Sequence, residues 1–196
     1  MPELPELLVA DPAALRSWLR DHHATSDGVR LVLTKKGGTD TTVTWATAVE
    51  ELLCYGWIDG QAGKRDEHSY TVRITPRRPR SMWSQRNVDL VEKLERQRRM
   101  RAAGRAAVEA AKADGRWAAA YAASSVAEVP ADLLDAIAAE PEAQRMFDVL
   151  TKTNRFALYH RLNAVKRAET RERKVREFVA MLARHEAPYP QKARPE

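Results

Sequence analysis

The 196-residue sequence has one cysteine and no long apolar run. A single cysteine cannot form a disulfide within the chain, so a disulfide framework is excluded. No window reaches the roughly eighteen consecutive apolar residues of a transmembrane helix, and none is predicted. Residues 1–10 have neither the cationic start nor the apolar stretch of a signal peptide. We therefore expect a cytoplasmic protein.

The five histidines do not form a set with metal-ligand spacing. His22 and His23 are adjacent and point in different directions, while His68, His160 and His185 are isolated along the chain. No metal and no cofactor is predicted from this pattern.

The charge balance favours anionic partners. The chain has 33 Lys and Arg residues against 27 Asp and Glu residues, a formal net charge of +6. Phosphates, nucleic acid and acidic protein surfaces are the partner classes that such a balance attracts. The basic run over 161–176 is interspersed with glutamates, which is typical of a solvated helix face. Nucleic acid is therefore not the favoured partner.

The hydrophobic pattern predicts an α+β fold, with a small antiparallel-containing sheet among helices in the N-terminal half and a mostly α-helical C-terminal half. The predicted elements of the N-terminal half are a helix from Asp11-Pro12 to about His22, a strand after Gly28, a helix from Thr44 to Gly56, a strand from Trp57, a strand around Tyr70 to Thr75, and a helix from Ser81 or Ser84. Helices are predicted from Ala102 to Ala122 and onward to Arg184. The predicted organisation is an α+β domain over 1–100, a helical region over 101–184 that packs on it, and a flexible tail over 185–196.

Alternation along the predicted hairpin suggests that the sheet has one polar face. It places Asp59, Gln61, Thr71 and Arg73 together, opposite the apolar face. The connection 75–79, with prolines at both 76 and 79, is expected to leave the sheet as a stiff, extended segment. We therefore expect a polar sheet face edged by arginines.

The segment 64–86 combines cations with aromatic residues, which favours an anion-binding pocket. Arginine can hold a carboxylate or phosphate through two parallel hydrogen bonds, and it can stack on a ring. The hypothesis is that Arg73, Arg77 and Arg78 hold the anion. Asp59, Trp83 and Ser84 would orient it, with Ser84 at a helix N-terminus. The alternative is that Arg73 neutralises Asp59 on a half-buried face while the other arginines coat a loop.

Several stretches of the chain resemble the YdeI/OmpD-associated family of bacteriocin-protection-like proteins, and the resemblance covers roughly Asp11 to Arg184. They are Leu53 to Gly60 (LCYGWIDG), Thr75 to Pro79 (TPRRP) with Ser81, Trp83, Ser84 and Asn87, Lys112 to Trp117 (KADGRW), Ala164 to Arg167 (AVKR) and Glu169 to Arg171 (ETR). Asn87 joins the candidate ligand-binding residues through this resemblance. The family's names refer to protection and association phenotypes, so the resemblance implies a role in stress or bacteriocin protection without implying a reaction.

Three functions remain open at this point. The leading hypothesis is a protein that binds a small anionic ligand. The second is an enzyme acting on a small phosphorylated or carboxylated substrate, with Asp59 as its general base. The third is a protein- or nucleic-acid-interaction module that uses the basic surface directly.

Other residues enter these hypotheses with lower weight. Cys54, with Asp59 and His68 nearby, can be imagined as a nucleophile with an acid or base partner, although a lone cysteine in an apolar helix is usually a small buried hydrophobe. Asn154, Arg155 and Tyr159 would join the site only if the C-terminal helices cover the polar sheet face.

Overall fold

The computed structural model describes residues 4–122, 128–165 and 167–195. The chain divides into two compact units, Met1–Ala120 and Tyr121–Glu196. The sequence interpretation set this boundary at residue 100. It falls later in the structure because the helix Ala102–Ala113 packs on the helix Trp45–Cys54 and belongs to the N-terminal unit.

The described residues confirm an α+β fold. The helices are α1 (Pro12–His22), α2 (Trp45–Cys54), α3 (Gln85–Arg96), α4 (Ala102–Ala113), α5 (Ala131–Ala138), α6 (Pro141–Asp148), α7 (Lys152–Asn163) and α8 (Ala168–Ala183). The strands are β1 (Glu6–Leu7), β2 (Val29–Thr34), β3 (Trp57–Lys64) and β4 (Ser69–Pro76).

The strands form one mixed sheet in the order β1-β2-β4-β3. β1 lies parallel to β2, and the other two neighbouring pairs are antiparallel. Alternate residues of the central strands, including Leu31 and Leu33 of β2 and Val72 and Ile74 of β4, belong to the same buried core as the helices of this unit. The sheet therefore has one apolar face, as its period-two pattern predicts.

Polar side chains define where the helices and the hairpin turn begin. Asp11, Thr44 and Ser84 each accept a backbone N–H from the first turn of α1, α2 and α3, respectively. In the β3–β4 turn, the carboxylate of Asp66 accepts three hydrogen bonds. The donors are the hydroxyl and backbone N–H of Ser69 and the backbone N–H of His68. These hydrogen bonds, led by that of the Ser69 hydroxyl, lower the pKa of Asp66 to about 2.

The alanine-rich helix predicted to continue to residue 122 ends much earlier. α4 stops at Ala113, and Gly115 follows with a φ of +78°, in the left-handed region that favours glycine. Alanine content favoured a longer helix, but the Asp114-Gly115 pair ends it.

A buried carboxylate connects three parts of the N-terminal unit. Glu51 of α2 is 1% exposed. It accepts two hydrogen bonds from Arg16 of α1, at 2.6 and 2.8 Å, and one of 2.7 Å from Arg99 in the connection between α3 and α4. Arg99 also binds Glu50 at 2.6 Å. A buried charge is tolerated when it is paired and hydrogen-bonded in this way.

We predict that Glu51→Gln destabilises the protein by about 2 kcal/mol, because it removes the negative charge that pairs with Arg16 and Arg99. The value is below that of a fully buried pair because the two arginine side chains are partly exposed. Glu109→Gln is the matched control, since the Glu109 side chain is 69% exposed and its one ion pair among the described residues is with Lys112. It should cost no more than about 0.5 kcal/mol. Urea unfolding of the full chain measures both changes, and equal losses would contradict the prediction.

The C-terminal unit has its own core. It is built by α5, α6, α7 and α8 and includes Leu133, Met146, Leu158 and Leu182, all of which are buried. None of the helices in the described ranges is both long and apolar enough to cross a membrane.

The predicted flexible tail, 185–196, makes specific contacts in its described part. The buried amide of Asn154 bonds both the N–H and the C=O of Tyr189, at 2.8 and 3.1 Å, and the side chain of Gln191 at 2.7 Å. Asn154 thus acts within the C-terminal unit, where it holds the chain that follows α8.

Candidate functional site

The sheet face opposite the apolar core carries two arginines side by side. Arg30 of β2 and Arg73 of β4 are directly paired across the antiparallel ladder. Side chains of directly paired residues share a face and lie close together, and like charges in these positions repel. Arg30 is partly compensated by Glu6, whose Oε1 lies 3.7 Å from its Nη2. An anion near the pair would remove the repulsion.

A groove of about 380 Å³ lies at this pair and is open to solvent. We call it the sheet-face groove. Its lining residues are Leu4, Arg30, Gln61, Ala62, Gly63, Lys64, Thr71 and Arg73. The lining combines three cationic residues with an amide and a hydroxyl, and it includes no acidic residue within the described part of the chain. The size is at the lower end for pockets that hold small molecules.

Arg73 has an unmet hydrogen-bonding demand in this groove. Its side chain is half-buried, and its Nε is fully buried without a hydrogen-bond partner among the described residues. No ion pair to Arg73 is formed within those residues either. A buried donor without an acceptor typically costs about 1–3 kcal/mol, more when it is charged. A bound carboxylate or phosphate would supply the acceptor.

A β-bulge in β3 shapes the groove edge and changes which side chains reach it. Asp59 pairs with Ile74, but the next pair is Ala62 with Val72, so β3 has one extra residue opposite Arg73. Bulges reverse the alternation of a strand and often occur next to functional sites. The bulge therefore sets Gln61 on the groove side and leaves Asp59 on the other.

Asp59 lies on the helix-facing side of the sheet, away from Arg73. Its Oδ2 accepts a 2.9 Å hydrogen bond from Nε1 of Trp45, at the start of α2. The guanidinium of Arg86 lies 4.1 Å from the Trp45 ring centroid, a cation–π contact. The sequence prediction had Asp59 and Arg73 on one face. Asp59 follows Trp57, whose ring is buried in the core, and two residues along a strand share a face.

The other predicted site residues form a second group beyond the end of β4. The guanidinium of Arg77 lies 3.7 Å from the centroid of the Trp83 ring, and its Nη1 donates to the C=O of Met82. Trp83 is 2% exposed and packs edge-on against Trp117 at 4.9 Å. The Trp83 ring, which the sequence hypothesis assigned to orienting the anion, is thus buried and in contact with Arg77.

Arg78, Ser84 and Asn87 also have structural contacts. The Arg78 side chain is exposed, and its backbone N–H donates to the hydroxyl of Ser81. The Ser84 hydroxyl accepts from the backbone N–H of Asn87, as the N-cap of α3. The structure therefore gathers Arg77 with Trp83, and Ser84 with Asn87, but separates both pairs from the sheet-face groove.

Sequence reasoning missed Arg30. Its signal was present, because alternation around Val29 and Leu31 places residue 30 on the opposite face. What was not available is the register, which pairs Arg30 with Arg73 rather than with a neighbouring residue.

The C-terminal unit has a groove of different chemistry. It measures about 360 Å³ and is lined by Thr153, Phe156, Ala157, His160, Arg161 and Tyr189. Aromatic rings dominate it, and burial lowers the pKa of His160. Arg155 and Tyr159, two candidates from the sequence, bind the backbone within this unit. Arg155 donates to the carbonyls of residues 147 and 148, and the Tyr159 hydroxyl accepts from the N–H of Ala122.

Family models match both parts of the chain. Residues 7–107, more than half of the sequence, match a model described as a domain of unknown function (DUF8412). The chain belongs to the DUF8412 family. The sheet-face groove lies within the DUF8412 match, with the exception of its border residue Leu4.

A second family model matches the C-terminal part. Residues 126–185 match the model described as Bacteriocin-protection, YdeI or OmpD-Associated (OmdA). This match confirms the resemblance within the C-terminal unit of this DUF8412 protein, where it includes the AVKR and ETR stretches. The quoted stretches between Leu53 and Trp117 lie outside it. Neither the curated proteins nor the solved structures contain a significant match to the chain.

Cys54 lacks the surroundings of a reactive thiol. It is 2% exposed at the end of α2. Burial, with a smaller contribution from the Glu51 carboxylate, raises the pKa of the Cys54 thiol to about 11. Only the thiolate is a strong nucleophile, and at pH 8 a thiol of this pKa is ionised to about one part in a thousand.

We therefore predict that maleimide labels Cys54 of the native protein at pH 8 at least about 100-fold more slowly than it labels the urea-unfolded chain. Mass spectrometry over time measures both rates, and Cys54→Ala, which leaves no cysteine, sets the background. Similar rates in the two states would mean that Cys54 is accessible and ionised in the native protein.

Proposed function

We propose that the N-terminal unit binds a small anionic ligand, a carboxylate or a phosphate, in the groove on the polar face of its sheet. The observation that carries the proposal is Arg73, whose buried Nε has no acceptor within the described residues and whose cross-strand neighbour is a second arginine. A negatively charged ligand oxygen would accept a hydrogen bond from the Arg73 Nε and would reduce the repulsion between Arg73 and Arg30.

The groove also has the polar groups that orient a small anion. Gln61 can donate through its amide, and Thr71 through its hydroxyl. Arginine suits the role because its planar fork binds carboxylate and phosphate through two hydrogen bonds. The ligand-binding function predicted from the sequence is thus supported at Arg73, while its centre moves from the loop after β4 to the sheet.

The lining favours binding over catalysis. Among the described residues that line the groove there is no carboxylate, histidine or cysteine, so Lys64 is the one lining side chain of a type that serves as a general base. Asp59, the base of the enzyme hypothesis, lies on the other face and bonds Trp45. We therefore propose a binding protein, acting in the cytoplasm, with a role in stress or bacteriocin protection. The second part of this role is supported by the description of the OmdA family model, which names bacteriocin protection.

The first test compares ligand-induced stabilisation of the wild type with that of Arg73→Gln. The panel contains inorganic phosphate, pyrophosphate, a sugar phosphate, a nucleoside monophosphate, mono- and dicarboxylates and a short single-stranded DNA. A ligand at about one hundred times its Kd should raise the unfolding temperature by roughly 5–10 °C. We expect a small anion to give this shift in the wild type and little or none in Arg73→Gln.

Arg80→Gln is the matched control. It removes the same charge from an exposed position outside the groove, so it should keep the full shift. Without ligand, Arg73→Gln should unfold at the same temperature as the wild type or higher, because it removes an unsatisfied buried donor. The proposal fails if no anion stabilises the wild type, or if every anion that does so stabilises Arg73→Gln to the same extent.

A further inference from the structure

A second concave surface of the N-terminal unit lies where α1, the end of α2 and the start of α4 meet. This groove has a volume of about 360 Å³ and does not share any lining residue with the sheet-face groove. It is lined by Arg16, Ser17, Arg20, His23, Tyr55, Arg101, Ala102 and Ala103. We call it the α4 groove.

The first turn of α4 borders this groove with unused backbone donors. The helix has twelve residues, and no side chain caps its N-terminus. The amides of Ala102 and Ala103 belong to the first turn, whose N–H groups have no partner within the helix. A helix N-terminus carries partial positive charge and is suited to bind an anion.

Tyr55 supplies an independent indication that a ligand binds here. The residue is only 6% exposed, yet its hydroxyl forms no hydrogen bond with any described residue. The hydroxyl oxygen itself keeps some exposure to the groove that Tyr55 lines, so it is available to a ligand there. Tyr55 lines the groove together with Arg16, Arg20 and Arg101.

The α4 groove keeps net positive charge after its ion pairs are counted. Arg16 is compensated by the buried carboxylate of Glu51, and Arg20 by Asp21. Arg101 has no ion pair within the described residues. The guanidinium of Arg101 and the helix N-terminus therefore leave a positive potential beside the Tyr55 hydroxyl.

The start of α4 is held rigidly in place. The backbone N–H of Arg101 donates to the C=O of Cys54 at 3.1 Å. α4 approaches α2 so closely that a Cβ on Gly104 would lie 2.4 Å from the same oxygen. The donors of the first turn are therefore fixed before a ligand arrives, which lowers the entropic cost of binding.

We propose that the α4 groove is a separate site for a phosphate group, as inorganic phosphate or a phosphomonoester. Its oxygens would accept from the first amides of α4, from the Tyr55 hydroxyl and from Arg101. The donors are of three kinds and come from the start of α4 and the end of α2. This arrangement suits a tetrahedral anion with three or more oxygens better than a planar carboxylate.

The test is a calorimetric titration of inorganic phosphate into the Arg73→Gln protein, in which the sheet-face groove is disabled. Saturable binding is expected to remain. Adding Tyr55→Phe, which removes one oxygen atom, should weaken binding by about fivefold or more, and adding Arg101→Gln by about tenfold. Adding Arg96→Gln, which removes an exposed charge at the end of α3, should leave the affinity unchanged.

The folded state provides the control for Tyr55→Phe. The lost hydroxyl has no protein partner within the described residues, so the unfolding temperature without phosphate should stay within about 2 °C of the parent. The inference is overturned if the Arg73→Gln protein binds no phosphate, or if Tyr55→Phe and Arg101→Gln bind it as the parent does. Loss of all phosphate binding on Arg73→Gln alone would support the sheet-face groove and reject the α4 groove.

Discussion

The N-terminal unit depends on one buried charge. The carboxylate of Glu51 lies inside the helical layer, and it is held by guanidinium groups from α1 and from the connection between α3 and α4. Charge inside a protein must be compensated, so the positions of these segments are constrained together. The start of α4 follows directly from that connection, and α1 forms the opposite wall of the α4 groove. The geometry of this groove is thus a consequence of how Glu51 is compensated.

The charged residues of β2 and β4 lie on the sheet face opposite the core. One face is covered by helices and is apolar, which leaves the polar residues of β2 and β4 together on the other. Pairing Arg30 with Arg73 places two positive charges side by side, and their repulsion is destabilising unless a negative charge compensates it. Glu6 offsets part of it from β1. The incomplete compensation at Arg73 is what distinguishes this surface from an ordinary solvated face, where arginines extend into water.

The two units contribute different chemistry to one chain. The DUF8412 part has basic grooves built from arginines, backbone amides and hydroxyls. The OmdA part is an all-helical unit with a groove lined mainly by aromatic rings, and its Asn154 ties down the chain after α8. The positive charge of the chain therefore forms candidate anion sites in the N-terminal unit. There, Arg73 and Arg101 have no ion pair within the described residues.

The sequence by itself determined the α+β class, the N-caps of α1 and α2, the β3–β4 hairpin and the resemblance to the OmdA family, which the family model confirms over residues 126–185. These features depend on local patterns such as period-two alternation and capping residues, which neighbouring residues impose on the backbone. It also identified Arg73 as a residue of the polar sheet face. Only the tertiary structure decided which residues meet Arg73. Strand register and the bulge in β3 are set by contacts between residues far apart in the chain, and they bring Arg30 and Gln61 to Arg73 while turning Asp59 to the other face.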